Sequence, residues 1–201
     1  MERRDNYAIS AQNAKKLFLS YDQQKLIDKL NLKFDDAYLY TTFLGSLYRI
    51  ARSTGDLQRR AGEAWVDGNS FDEVLTLFDL VCDSAEARTS AHRWKNMTDF
   101  GLQFHQNLME SRDPLAEWAQ AEPEAFRGAL LAMGAREIRG ADIAFALPVF
   151  DTLEMALFFW AGDEEFAPRI RYLWDENALQ YIRYETMYYC LGCLRTRLLK
   201  K

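Results

Sequence analysis

Three apolar and aromatic runs near the end of the chain constrain its fold more than any other feature. The runs are Ile143–Phe150, Leu153–Trp160 and 169–174, and their aliphatic and aromatic residues are typical of β-strands. Short connections join them at 151–152 and at the acidic segment 162–165. We therefore expect adjacent strands in the interior of the protein, with the acidic segment at its rim.

Predicted helices and strands occur in blocks rather than in alternation. Helices are predicted within 5–30, a strand hairpin within 37–66, a helical middle within 70–134, and strands followed by a helix within 141–199. Such an order is typical of α+β proteins and argues against a doubly wound parallel sheet. Because 201 residues is the length of one domain, we predict a single α+β domain, with a mainly antiparallel sheet packed against several helices.

Two local signals fix element boundaries within these blocks. Ser70 and Glu73 form a capping-box pattern, which predicts a helix that begins there and runs to about Cys82. The turn residues at 53–56 predict a hairpin between strands at 46–52 and 57–66.

Composition and charge exclude several classes of protein. The chain has 30 acidic and 25 basic residues and a pI near 5.2, which argues against a nucleic-acid-binding domain. The longest apolar run, 155–161, is far shorter than the roughly 20 residues of a membrane span. The first residues lack the apolar core of a signal peptide, and three cysteines are typical of reduced thiols. We therefore expect a cytoplasmic protein with no membrane association.

The cysteines and histidines do not predict a metal or redox site. Cys190 and Cys193 have a spacing found in such sites. A four-ligand site would also need Cys82, His92 or His105, which are distant in sequence. We expect the cysteine pair to be buried in the terminal helix as small apolar residues, and we predict no bound cofactor.

The acidic segment and the residues near it are the most distinctive candidate site. Adjacent carboxylates repel one another, so they favour a divalent cation, a basic partner or full solvation. In the last case Trp160 and Phe166 would anchor the turn in the core, and Asp175 would cap the short helix that follows it. The candidate binding residues are Trp160, Asp163, Glu164, Glu165, Trp174, Asp175 and Glu185.

The sequence contains no nucleophile elbow and no glycine-rich phosphate loop. We therefore favour a non-catalytic protein that binds an unknown small molecule or a protein partner. One alternative is an enzyme with a dispersed site, for which the candidates are Asp163, Glu165, Asp175, Glu185 and a histidine. Another is a structural homodimer module, paired through the apolar positions of the terminal helix at Met187, Leu191, Leu194 and Leu198.

Short motifs along most of the chain carry a family resemblance. They are Phe145-Ala-Leu-Pro148, Phe159-Trp160, Gly162-Asp-Glu-Glu-Phe166, Leu173-Trp-Asp-Glu-Asn177 and Tyr184-Glu-Thr186, preceded by Phe43-Leu-Gly-Ser-Leu-Tyr48 and Leu75-x-x-Phe78-Asp-Leu80. From about Tyr38 to Arg197 the chain resembles domain-of-unknown-function family 3786, whose members are uncharacterised bacterial and archaeal proteins, mostly from anaerobes.

The resemblance implies a cellular setting rather than an activity. Some members of that family are fused to a cysteine-rich iron–sulfur domain, which implies a role near anaerobic metal or corrinoid chemistry. Because this chain has no such cysteine cluster, it resembles the stand-alone form. The partner implied is then an iron–sulfur or corrinoid protein, and the family supplies no catalytic residue.

Overall fold

The computed structural model describes residues 3–101 and 113–199. The chain divides into two compact units, which we call the first and the second unit. The first consists of Met1–Arg88 and Leu179–Cys193, and the second of Thr89–Ala178 and Leu194–Lys201. The described residues form six α-helices and two five-stranded antiparallel sheets, so the predicted α+β class is confirmed. The single-domain organisation stays a prediction.

The first sheet is an antiparallel meander in chain order within the first unit. Its strands are β1 Lys33–Phe34, β2 Tyr38–Phe43, β3 Ser46–Ala51, β4 Leu57–Ala61 and β5 Ala64–Asp67. The predicted pairing of β3 with β4 is confirmed. The single strand predicted over 57–66 is instead two strands, because Gly62 has a φ of +59° and turns the chain between β4 and β5.

Three helices and part of a fourth accompany the first sheet. They are α1 Arg3–Ser20, α2 Gln23–Leu30, α3 Phe71–Phe78 and the beginning of α6 Tyr184–Leu199. The predicted start of α3 is confirmed, since the Ser70 hydroxyl accepts the Glu73 amide at 3.3 Å. A π-helical turn at Asp79–Asp83 completes the helix predicted to reach Cys82.

The second sheet is built around the three runs predicted to be strands. Its strands are β6 Trp94–Lys95, β7 Arg136–Glu137, β8 Ile143–Phe150, β9 Leu153–Trp160 and β10 Arg169–Asp175, in the spatial order β6-β10-β9-β8-β7. Helices α4 Pro114–Ala121 and α5 Pro123–Ala132 belong to the same unit, and each has a proline in its first turn.

Two central strands of the second sheet, β8 and β9, are buried on both faces. All residues from Ile143 to Leu147 are buried, although successive side chains point to opposite sides. One face carries Ala144 and Ala156 beside Phe158, and partly buried apolar side chains pack against them. The predicted interior position is therefore confirmed for β8 and β9, whereas β10 exposes Arg169 and Arg171 on one face.

The helices also bear on the predictions about membrane spans and cysteines. No helix in the described part of the chain is long and apolar enough to cross a membrane. Cys190 and Cys193 are buried within α6, as predicted. His105 lies outside the described residues.

Candidate functional site

The seven predicted site residues do not lie together. Trp160 and the acidic segment are at one end of β10, and Trp174 and Asp175 are at the other. The six residue steps between these ends span roughly 20 Å in a β-strand. Glu185 lies in the first unit, whereas the other six residues lie in the second. We therefore describe the two ends of β10 separately.

Residues 162–168, which we call the acidic turn, connect β9 to β10. Side chains from two other segments hold its beginning. The Ala161 amide donates to Asp142 Oδ2 at 2.8 Å, and the Gly162 amide donates to Gln120 Oε1 at 3.0 Å. Because Gln120 belongs to α4, the turn is fixed to a helix as well as to the sheet.

Asp163 closes the acidic turn with its own carboxylate. Its Oδ1 accepts the amides of Phe166 at 2.8 Å and Glu165 at 2.9 Å, and its amide donates to the Phe166 carbonyl at 2.9 Å. The hydrogen bonds from Phe166 and Glu165 lower the pKa of Asp163. This carboxylate therefore holds a tight turn of the kind that aspartate favours, rather than serving as a free ligand.

Gly162 is required by the close approach of the chain within the turn. A Cβ atom at this position would lie 2.6 Å from the Pro168 nitrogen and 2.8 Å from the Phe166 carbonyl oxygen. Any other residue would force these backbone atoms apart. The acidic turn is thus tightly constrained at its beginning and across its middle.

The two aromatic residues at the ends of the segment differ in their environments. Trp160 is half-buried, stacks on Phe158 with a centroid distance of 6.0 Å, and lies beneath the Arg169 guanidinium at 4.9 Å. The anchoring role expected for Phe166 is wrong, because its side chain is 69% exposed. The hydrogen bonds to Asp163 fix the backbone of Phe166 and leave its ring in solvent.

The exposed part of the acidic turn combines one ring with two carboxylates. Glu164 and Glu165, which directly precede Phe166, are both exposed. A surface depression of 450 Å³ is lined by Gln120 and residues 162–168. The turn therefore presents an apolar group flanked by negative charge.

At the other end of β10, Asp175 is completely buried. Its carboxylate accepts hydrogen bonds from Ser90 Oγ at 2.7 Å and from the amides of Ala91, His92 and Asn177 at 3.0, 2.7 and 2.8 Å. Burial raises the pKa of Asp175, but these hydrogen bonds outweigh it and keep the pKa below its ordinary value. Asp175 thus holds the Asn177 amide just after the strand and orders the segment at 90–92.

Sequence reasoning missed a surface cluster next to that segment. His92 Nδ1 lies 3.3 Å from Glu154 Oε2, and Arg136 donates to both oxygens of Glu154 at 2.8 and 3.2 Å. His92 has a φ of +52°, which Asp175 maintains through the His92 amide. An acidic residue within a strand was the only available signal, since the register that brings these residues together is not local.

The cluster does not have the geometry of a nucleophilic triad. Ser90 Oγ lies 3.4 Å from His92 Nδ1, the same ring nitrogen that faces Glu154. A triad needs the nucleophile and the acid at opposite ring nitrogens. The Ser90 hydroxyl also donates its proton to Asp175. Within residues 3–101 and 113–199, no group of three or more His, Cys, Asp or Glu side chains could hold a metal ion.

Comparison with known proteins gives the family but not an activity. Neither the curated proteins nor the solved structures contain a significant match to the chain. A family model described as "Domain of unknown function (DUF3786)" matches residues 22–197, which include both sheets, the acidic turn and Asp175. Because that match covers most of the sequence, the chain belongs to the DUF3786 family.

Proposed function

We propose that this chain is a non-catalytic binding protein and that the acidic turn binds a protein partner. The observation that carries the proposal is the exposure of Phe166, which is the largest among the large apolar side chains in the described part of the chain. Contact with a partner would remove the apolar surface of this ring from water, which is favourable.

The rigidity of the turn supports this role. Asp163, Gly162 and Gln120 hold the backbone on both sides of Phe166 before any partner arrives. Association therefore requires little additional ordering of the turn, and a preorganised surface of this kind binds more tightly.

The charges beside Phe166 define the chemistry of the partner. Glu164 and Glu165 are exposed, and neither is engaged as Asp163 is. We infer that the partner has an apolar pocket for the ring and basic residues around it. Such an aromatic anchor contributes most of the binding energy, while the rim charges favour the correct orientation.

The arrangement of the other candidate carboxylates favours binding over catalysis. An enzyme site needs several ionisable groups in one concave pocket. Asp163 is engaged by backbone amides, Asp175 is buried beneath residues 90–92, and Glu185 is an exposed residue of the first unit. Asp163 and Asp175 lie at opposite ends of β10 and are each held by their own hydrogen bonds, so a dispersed catalytic site is the weaker hypothesis.

The family resemblance suggests which partner to test first. If some relatives carry an iron–sulfur domain in the same chain, a stand-alone member would bind such a domain as a separate protein. We therefore propose an iron–sulfur or corrinoid protein of anaerobic metal metabolism, encountered in the cytoplasm, as the partner.

Site-specific photo-crosslinking tests the proposal. A photoreactive phenylalanine analogue is placed at Phe166 or, as a control, at Leu131, which is 57% exposed on α5 in the same unit. We expect one discrete crosslinked protein from position 166 and none from position 131. Equal crosslinking from both positions, or crosslinking only to a second copy of this chain, would contradict the proposal. The latter outcome would instead favour the homodimer.

A further inference from the structure

We propose that the outer face of the first sheet binds single-stranded nucleic acid. This face carries Tyr38, Tyr40, Arg49, Arg60 and Trp65, which we call the arginine–aromatic face. It belongs to the first unit, whereas the acidic turn belongs to the second. The proposal is therefore independent of the partner proposed above.

Strand register places these five side chains on one side of the sheet. Tyr40 pairs with Arg49 across β2 and β3, and Arg60 pairs with Trp65 across β4 and β5. The alternate residues Leu39, Tyr48 and Ile50 are fully buried and occupy the opposite, inner face.

The side chains of the face hold one another in place. The Arg49 guanidinium lies 4.2 Å from the centroid of the Tyr38 ring and 4.4 Å from that of Trp65. Arg60 lies 5.4 Å from the Trp65 ring. The Tyr40 ring is 6.3 Å from Tyr38 and 6.2 Å from Trp65. The surface is therefore preorganised, with three aromatic rings and two guanidinium groups in contact.

Each guanidinium retains donors for a ligand. Arg49 Nε donates to Gln58 Oε1 at 2.6 Å, and Arg60 Nε donates to the Gly62 carbonyl at 2.8 Å. Arginine has five N–H donors, so these two bonds orient the side chains while other N–H groups stay available. All five residues of the face are only partly buried, so rings and guanidinium planes contact solvent.

The face carries three cations and has two carboxylates beside them. Arg49, Arg60 and Lys33, which pairs with Tyr40, are its cations. Asp35 accepts the Tyr40 hydroxyl at 2.6 Å and Asp67 accepts the Asn69 amide group at 2.6 Å. Because these carboxylates counter part of the positive charge, the arginines serve mainly as stacking planes and as local donors to phosphates. The net charge of −5 predicted no nucleic acid as a partner, but whole-chain charge does not describe the field above one face.

A chain of bases and phosphates fits this combination better than an acidic peptide does. Single-stranded nucleic acids bind open sheets by stacking bases on aromatic rings and arginine planes, while cations contact the phosphates. An acidic peptide would use the arginines but would leave the three adjacent rings without planar groups to stack on them.

Fluorescence anisotropy with labelled dT20 and U20 tests the proposal. The test variant is R49Q/R60Q, and the control R169Q/R171Q removes the same charge from the two arginines near Trp160 in the second sheet. We expect R49Q/R60Q to weaken binding at least tenfold. The logarithm of the binding constant falls with the logarithm of the salt concentration, and we expect the magnitude of that slope to drop by about 0.7 for each phosphate that the variant no longer neutralises. We expect R169Q/R171Q to bind as the wild type does.

Substitutions of Trp65 separate stacking from charge and from misfolding. We expect W65L to weaken binding about tenfold and W65F to restore most of it, because phenylalanine keeps a stacking ring. Circular dichroism confirms that each variant is folded before it is compared. Equal losses in the two arginine double variants, competition by poly-glutamate as strong as by unlabelled dT20, or no binding of either oligonucleotide at low salt would overturn the proposal.

Discussion

The two sheets of this protein have the same number of strands and expose different surfaces. Both are antiparallel, and both bring arginine side chains onto tryptophan rings, at Trp65 in the first sheet and at Trp160 in the second. In the first sheet one face is buried and the other carries partly exposed rings. In the second sheet β8 and β9 are buried on both faces, and β10 exposes Arg169 and Arg171.

The difference follows from the sequence pattern of the strands. In β2 the buried residues Leu39, Thr41 and Phe43 alternate with more exposed ones, which is typical of a sheet with one solvated face. In β8 the apolar run is continuous and so is its burial. Alternation thus identifies strands with one solvated face, and continuity identifies strands that are covered on both faces.

The largest expected effect comes from truncating a leucine in each sheet. Leu157 on β9 is fully buried, whereas Leu47 on the outer face of β3 is 42% exposed. We expect L157A to lower the free energy of unfolding by about 2–5 kcal/mol, because it leaves a cavity. We expect L47A to change it by less than about 0.5 kcal/mol. Urea denaturation measures both changes. Equal losses of free energy of unfolding in the two variants would contradict the distinction between an open face in the first sheet and a covered face in the second.

Replacing Asp175 with asparagine tests the support at the end of β10. We expect D175N to lower the free energy of unfolding by about 1–3 kcal/mol at pH 7, because a buried acceptor of four hydrogen bonds is altered. The control is E165Q, which makes the same replacement of a carboxylate by an amide at an exposed position.

The pH dependence of the same variant has a defined sign. The folded-state pKa of Asp175 lies below its ordinary value of about 3.9, so its ionised form stabilises the fold above that value. This contribution is lost as the pH falls through the folded-state pKa. The difference in the free energy of unfolding between wild type and D175N should therefore become smaller in acid. A gap that is constant from pH 7 to pH 3 would contradict the role assigned to this carboxylate.

Two glycine-to-alanine substitutions test the constraint on the acidic turn. We expect G162A to destabilise the protein by about 1–3 kcal/mol, because the added methyl group overlaps the backbone at Pro168. Gly128 in α5 has open space around it, and G128A should stabilise the protein by about 0.5–1 kcal/mol. Thermal unfolding followed by circular dichroism gives both values. If G162A were as stable as the wild type, the turn would not be tightly closed.

The smallest expected effect on stability is that of removing the Phe166 ring. Since the side chain is 69% exposed, F166A should change the free energy of unfolding by less than about 0.5 kcal/mol. A loss of more than about 1 kcal/mol in urea denaturation would show that the ring packs against the protein, as the sequence pattern predicts.

Much of the second sheet could be predicted from local sequence. The runs that became β8 and β9 are long and strongly apolar, that of β10 is rich in aliphatic and aromatic residues, and their connections are short, so strand type and order follow directly. The start of α3 was equally predictable, because the Ser70–Glu73 contact lies within one turn of the chain.

The environments of individual site residues could not be predicted in the same way. Asp175 is buried because β6 pairs with the end of β10 and brings residues 90–92 over the carboxylate. That contact joins positions more than eighty residues apart. The cluster of His92 with Glu154 and Arg136 has the same origin, because no periodicity in one sequence specifies which strands become neighbours.

Phe166 shows a different limit of sequence reasoning. An aromatic residue beside a strand is usually part of the core, and the sequence favoured that role. The Asp163 carboxylate instead fixes a tight turn that leaves the Phe166 ring in solvent. The available signal was the position of Asp163, two and three residues before Glu165 and Phe166, whose amides donate to its carboxylate. This spacing is typical of an aspartate-capped turn.

The affinity of F166A for the protein that crosslinks at position 166 tests the central claim most directly. Isothermal titration calorimetry would compare wild type, F166A and the control L131A with that purified partner. The account predicts at least a tenfold loss of affinity for F166A, no change for L131A, and unchanged stability for both variants. Wild-type affinity in F166A would contradict the assignment of the acidic turn as the partner-binding surface.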